Sequence, residues 1–199
     1  MKNQESFQPG VTYHLFNRGN NHEKIFFESK NYDYFLFLAQ KYLLKISKIF
    51  AYCLIPNHFH ILVGINRIKD LPEEYITGKK KLHQPFSNFF NAYAKAINKK
   101  YDRRGSLFQE HLKRNIIDTD EYFKNVVLYI HLNSDNHKLK HSYENNPFSS
   151  YPQYVNDTDG FIDKDYVIDL FGDMDNFVYL HKQKRINMDL LDDINDLDD

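Results

Sequence analysis

The run Pro56-Asn57-His58-Phe59-His60 places two imidazoles two positions apart. Side chains alternate along an extended strand, so His58 and His60 project together and Phe59 goes into the opposite layer. Two neutral imidazoles on one face can share a divalent ion. The same alternation also describes a half-buried strand with polar residues on its open face. Further along, Tyr129 and Asn133 stand four apart, one turn along a single helix face. The amide oxygen of Asn133 can complete an N/O donor set with the two histidines, which suits Mg²⁺ or Mn²⁺ with positions left open for substrate. Tyr129 would then stand beside the cation. A phenol with a pKa near 10 needs such a neighbour to become a nucleophile. Tyr122, Val126, Tyr129 and Asn133 are equally the inner stripe and end of a helix, and most of the 15 tyrosines must be packing residues. His131 lies about 200° around that helix from Tyr129 and is given no catalytic role.

These residues need elements to hold them. Val11 to Asn17 alternates and is β-rich, and Arg18-Gly19-Asn20-Asn21 closes it with turn chemistry. Asn31 to Ile46 carries Tyr34, Phe35, Leu38, Tyr42 and Leu43 along one stripe of an amphipathic helix. Two apolar runs, 49–55 and 59–65, flank Pro56-Asn57 and read as strand, tight turn, strand. Residues 72–85 read as a loop, 87–101 as a helix and 110–117 as a further strand. Asp118, with Glu121 three residues on, has the signature of a capping box opening a helix that runs to about Asn133. The order strand, helix, strand, strand, helix, strand, helix predicts an α+β fold. Its form is an antiparallel sheet with helices packed against it, a two-layer sandwich compatible with a ferredoxin-like arrangement.

Composition narrows the class. The 199 residues are 42% hydrophobic and 16% aromatic, enough for a real core, and no apolar run approaches the roughly 20 residues of a membrane span. The first ten residues lack the apolar stretch of a secretory signal, and the single cysteine, Cys53, excludes an internal disulfide and a cysteine-built zinc site. A cytoplasmic protein is the expectation. The net charge of −1 hides an asymmetry: residues 1–150 carry 22 basic and 14 acidic side chains, and residues 151–199 carry 4 and 13. Between Lys79 and Arg114 there are ten basic residues and two acidic ones, the footprint of a polyanion binder or of a solvated lysine-rich face. The division expected is 1–155 as the catalytic unit and 156–199 as an acidic extension, partly helical or disordered. Its end, 187–199, carries Leu190, Leu191, Ile194 and Leu197 at near-helical spacing.

The segments YHLFNRGNNHEKIFF, AYCLIPNHFHILV, RRGSLFQEHLKRNI, YIHLN and PFSSYPQY occur in this order. Together, over about residues 10–155, the chain resembles the single-tyrosine HUH transposases, in particular those related to the REP-associated tyrosine transposases. The resemblance implies a ferredoxin-like sheet with the HUH motif on a central strand, His58 and His60 as ligands of a divalent ion, Asn133 as the third ligand and Tyr129 as nucleophile. It implies an enzyme that nicks and rejoins single-stranded DNA, on hairpin or repeat sequences, through a 5′-phosphotyrosine. Arg18, Lys95, Lys99, Lys100, Arg103, Arg104, Lys113 and Arg114 would hold the DNA, with Tyr101 and Phe108 available for stacking. The energy of the broken bond is kept in the phosphotyrosine, in keeping with a chain that has no G-x-x-x-x-G-K-[ST] loop. Two departures stand out: Ser134 follows Asn133 where the family has proline, and Glu110-His111 replaces a common basic residue. A non-cleaving DNA-binding regulator and a homodimer that exchanges its tyrosine helices are the alternatives the sequence leaves open.

Overall fold

The computed structural model describes residues 6–137 and 141–186. Its centre is a four-stranded antiparallel sheet of β1 (Thr12–Arg18), β2 (Ser47–Ile55), β3 (His58–Ile65) and β4 (Lys113–Ile117), in the spatial order β2-β3-β1-β4. That is the ferredoxin-like order, with β3 and β1 inside. The tight turn at Pro56-Asn57 joins β2 to β3, whose register runs from Ile55↔His58 to Ser47↔Ile65. The edge of β2 is covered by the chain at 148–150, where Leu54 N–H donates to the Phe148 carbonyl and Ser150 N–H to that of Tyr52. An edge strand covered this way offers no free ladder to another chain.

Helices α1 (Ser29–Leu43) and α3 (His83–Lys100) cover one face of the sheet. Phe59 points to them, with its ring 5.1 Å from Phe35 and 5.3 Å from Phe90. The four-residue α2 (Glu73–Ile76) interrupts the 72–85 connection. α3 starts at His83 rather than Ser87 because Pro85 falls in its first turn, where a missing N–H costs nothing. β4 starts at Lys113 rather than Glu110: His111 has φ +69°, outside the extended region, so pairing with β1 begins only after it.

The opposite face is covered by α4 (Asp120–Asn136). Its N-cap is Thr119, whose hydroxyl accepts from Tyr122 N–H, and not Asp118. Ile117 is still paired with Thr12 in the sheet, so Thr119 is the extended residue next to the first turn. The helix continues one turn beyond Asn133, which places that side chain inside a regular helix and not at a frayed end. After α5 (Tyr151–Val155), the chain forms α6 (Lys164–Phe171) and α7 (Met174–Ile186), which pack on α4 and bury Val167, Phe171, Phe177 and His181. Within the expected 156–199 extension, residues 164–186 thus include part of the core, and 187–199 lie outside the described residues. Among the described residues no helix is long and apolar enough to cross a membrane.

One glycine holds the end of the sheet where the histidines sit. Gly19 N–H donates to the Asn57 carbonyl at 2.7 Å, tying the end of β1 to the turn before His58. A Cβ on Gly19 would stand 2.0 Å from the Glu23 carbonyl oxygen and 3.2 Å from Ile25 Cγ2. Backbone cannot yield as a flexible side chain can. Gly19→Ala is expected to lower stability by about 3 kcal/mol, the upper part of the overpacking range. That lowers Tm by roughly 6–12 °C for a domain of this size, read by a thermal melt.

Candidate active site

β3 carries His58 and His60 on the face toward α4, 3% and 0% exposed. In the β1 register, Arg18 lies opposite His58 and Phe16 opposite His60. His58 Nδ1 is 3.0 Å from Asn57 Oδ1, and its Nε2 is 3.2 Å from Asn133 Oδ1. His60 Nδ1 is 3.0 Å from Nε2 of His14, which reaches across from β1. Burial above all, then the neighbouring His14, His137 and Arg18, holds the pKa of His60 well below the usual histidine value. His60 is therefore a neutral imidazole near pH 7, the form that ligates.

From the other side, α4 presents Tyr129 and Asn133 one turn apart. Tyr129 stands edge-on to His60, with ring centres 5.4 Å apart and planes at 87°, and edge-on to His14 at 6.0 Å. Both Tyr129 and Asn133 are buried. The four residues singled out in the sequence thus come together across one layer of the molecule.

The atoms around His58 can be read in two ways. A neutral imidazole has one N–H, yet both ring nitrogens face amide oxygens. In one tautomer Nε2–H donates to Asn133 Oδ1; in the other Nδ1–H donates to Asn57 Oδ1 and the Nε2 lone pair faces the Asn133 side chain at 3.2 Å. That separation is also what two donors bound at about 2.1–2.2 Å to one ion would show. The rings of His58 and His60, 5.2 Å apart, suit the same ion. Among the described residues no group of three or more His, Cys, Asp or Glu gathers in metal-binding geometry. The donor set that fits is two imidazoles and an amide oxygen, weak and open, as a Mg²⁺ or Mn²⁺ site that admits substrate oxygens would be.

A shallow cleft opens beside the histidines, lined by Phe16, Asn17, Arg18, His58, Gln109 and Lys113. Tyr129 does not line it. A second groove shares Asn17 and Gln109 with this cleft and runs along α3 past Asn91, Lys95 and Asn98. Arg103 and Arg104 line a hollow that continues from it past Gly105 and Ser106, and Arg103 pairs with Glu23 at 2.6 Å. Five of the expected DNA-binding cations, Arg18, Lys113, Lys95, Arg103 and Arg104, therefore border a track of three neighbouring hollows that share lining residues. The others do not. Arg114 alternates to the opposite face of β4 and sits 4.3 Å over the Phe7 ring. Lys100 pairs with Glu28 and lies over Tyr101, and Lys99 is exposed one turn beyond Lys95. Asn17 was missed in the sequence. Its amide donates to the carbonyls of Gln109 and His111 and so fixes the loop that forms the cleft wall. His14 was missed too: alternation groups it with Phe16 on one face of β1, and only the pairing of β1 with β3 sets that face beside the histidines.

No family model matches the chain, and no curated protein matches it in sequence. Among solved structures it is similar to a REP-associated tyrosine transposase bound to a REP hairpin, with a TM-score of 0.59 and 16% identity over 78% of this chain and 85% of that one. It is also similar, more remotely, to a structure described as a transposase from Deinococcus radiodurans R1. There the TM-score is 0.38 and the identity 13%, over 71% of this chain and 100% of that one, too slight a likeness to bear on the fold. The sheet order β2-β3-β1-β4, the histidine pair on an inner strand and the helix laid over it are thus set in the fold of a REP-associated tyrosine transposase.

Proposed function

We propose that this protein is a transposase-type enzyme that nicks and rejoins single-stranded DNA carrying a hairpin, with Tyr129 as its nucleophile. The observation that carries the reading is the meeting of His58 Nε2 and Asn133 Oδ1 at 3.2 Å beside His60, on which Tyr129 packs. His58, His60 and Asn133 would hold Mg²⁺ or Mn²⁺. Such an ion, when bound, supplies positive charge that polarises the scissile phosphate. Arg18 and Lys113 flank the cleft and neutralise the phosphate seated there. Tyr129 Oη forms the new bond to phosphorus as the P–O3′ bond breaks. The phenol loses a proton and the departing 3′ oxygen gains one, leaving the 5′ end as a phosphotyrosine. Attack by another 3′-hydroxyl reverses the step and joins strands. Tyr129 packs on His60 of its own chain. Its burial does require a movement: α4 must shift, or the side chain rotate, before Oη meets a phosphate in the cleft.

That same burial favours a second reading, a regulator that binds DNA without cutting it. The discriminating experiment incubates the protein with labelled single-stranded hairpin oligonucleotides from the flanks of its gene, with Mg²⁺ or Mn²⁺. A covalent protein–DNA adduct that requires metal supports the enzyme, and binding with no adduct across several hairpins supports the regulator.

The two faces of β4 give a separate prediction. Lys113→Ala is expected to weaken DNA binding and to reduce the slope of log K against log salt by about 1, the loss of one phosphate contact. Arg114→Ala is expected to leave that slope unchanged, because its guanidinium sits over the Phe7 ring and lines none of these hollows. Fluorescence anisotropy over a salt series reads both.

A further inference from the structure

His14 touches a proposed ligand without being one. It stands on β1 opposite Leu62, diagonal to His60 on the same face, and both rings are fully buried. The imidazoles lie 5.2 Å apart with 24° between their planes, and His14 Nε2 is 3.0 Å from His60 Nδ1. One proton occupies such a contact, so one nitrogen donates and the other accepts. Which one donates decides whether His60 can bind a cation. A neutral imidazole carries its proton on Nδ1 or on Nε2, and only the nitrogen without it has a lone pair to offer. With Nδ1 turned to His14, Nε2 is the nitrogen that must meet the ion.

We propose that His14 is a positioning residue that accepts the Nδ1–H of His60 and so fixes the tautomer whose Nε2 lone pair binds the divalent ion. This rests on the metal reading under Proposed function. Metal-ligating histidines regularly donate their other N–H to an oxygen, which orients the ring and raises its basicity. At this depth in the sheet a carboxylate would be a buried charge. A neutral imidazole does the same work at lower desolvation cost, provided its own proton sits on Nδ1. The pair is anchored by two adjacent inner strands and not by a loop, so the acceptor is in place before any ion arrives.

The test titrates Mn²⁺ alone into the full chain, without DNA, by calorimetry. It compares the wild type with His14→Met, which keeps length but removes the acceptor, and His14→Gln, which keeps a carbonyl oxygen within reach of His60. The expected result is a 10–100-fold weaker Mn²⁺ affinity for His14→Met and near recovery for His14→Gln. ¹⁵N imidazole shifts of the metal-free wild type should show the proton of His60 on Nδ1. Equal affinity for His14→Met and wild type overturns the proposal, as does equal loss in both variants, which would mean packing alone. A His60 proton found on Nε2 overturns it without any variant. A wild type that binds no Mn²⁺ at all is a different failure, that of the metal site itself.

Discussion

Tyr129→Phe is expected to abolish covalent capture of single-stranded DNA, by at least about 10³-fold, while leaving the affinity for the same oligonucleotide within a factor of about two. The first effect follows from chemistry: phenylalanine has no oxygen to bond to phosphorus, and no neighbouring group substitutes for a missing nucleophile in place. The second follows from geometry, because Tyr129 is fully buried and does not line the cleft or the basic track. Removing one buried hydroxyl costs about 1 kcal/mol, so the variant stays folded. Denaturing gels of protein incubated with end-labelled hairpin DNA and Mn²⁺ read the adduct, and anisotropy in EDTA reads the affinity. Tyr93→Phe is the control. That residue is as deeply buried, but its hydroxyl donates to the Ile25 carbonyl on the other side of the sheet, and its loss should leave the adduct intact. An adduct that persists in Tyr129→Phe would assign the nucleophile to another tyrosine and remove the proposed role of α4.

The sequence made the histidine pair legible because a strand has a period of two and a helix of 3.6. Pro56-Asn57 marks the turn, His58 and His60 then share a face, and the four-residue step from Tyr129 to Asn133 spans one helical turn. What such periods cannot say is which strand lies next to which. His14 belongs to the site only because β1 is the neighbour of β3, a fact of sheet order. Burial is equally a product of the whole fold. Tyr129 read as a nucleophile next to a cation, but the packing of α4 on the sheet places it away from the cleft surface. The ten basic residues from 79 to 114 looked like one stripe. Alternation on β4 sends Lys113 and Arg114 to opposite faces, and Glu28, the residue capping α1, engages Lys100. Local rules decided boundaries poorly where two residues competed for one role, as Asp118 and Thr119 did for the cap of α4.

Stability should fall as pH drops from about 6.5 toward 4, well before most carboxylates titrate, because of a second histidine pair that α4 buries away from the cleft. His131 Nδ1 is 2.8 Å from His181 Nε2, its own Nε2 is 2.8 Å from Ser150 Oγ, and His181 Nδ1 is 2.7 Å from the Phe177 carbonyl. A carbonyl only accepts, so His181 carries its proton on Nδ1 and accepts at Nε2. His131 then donates from Nδ1 and accepts from Ser150 at Nε2. Every position in this chain is satisfied with both rings neutral, and a proton added at His181 Nε2 would set two N–H groups against each other. Burial pushes His181 down to about 4, and burial followed by His181 pushes His131 well below the usual value. Folded-state values below the unfolded ones mean that the unfolded chain takes up protons first. Stability is therefore complete above about pH 6.5 and is lost as pH falls through the window down to the folded value. At 1.36 kcal/mol per pKa unit, His181 alone removes about 2 kcal/mol by pH 5 and about 3 by pH 4, and His131 acts in the same direction. Urea denaturation at pH 7, 6 and 5 reads the slope. His181→Phe, which replaces the buried ring with one that cannot be protonated, should be less sensitive to pH over this range, whatever its stability at pH 7. An unchanged slope in that variant would place the acid sensitivity elsewhere, and the packing of α7 on α4 would then carry no pH dependence of its own.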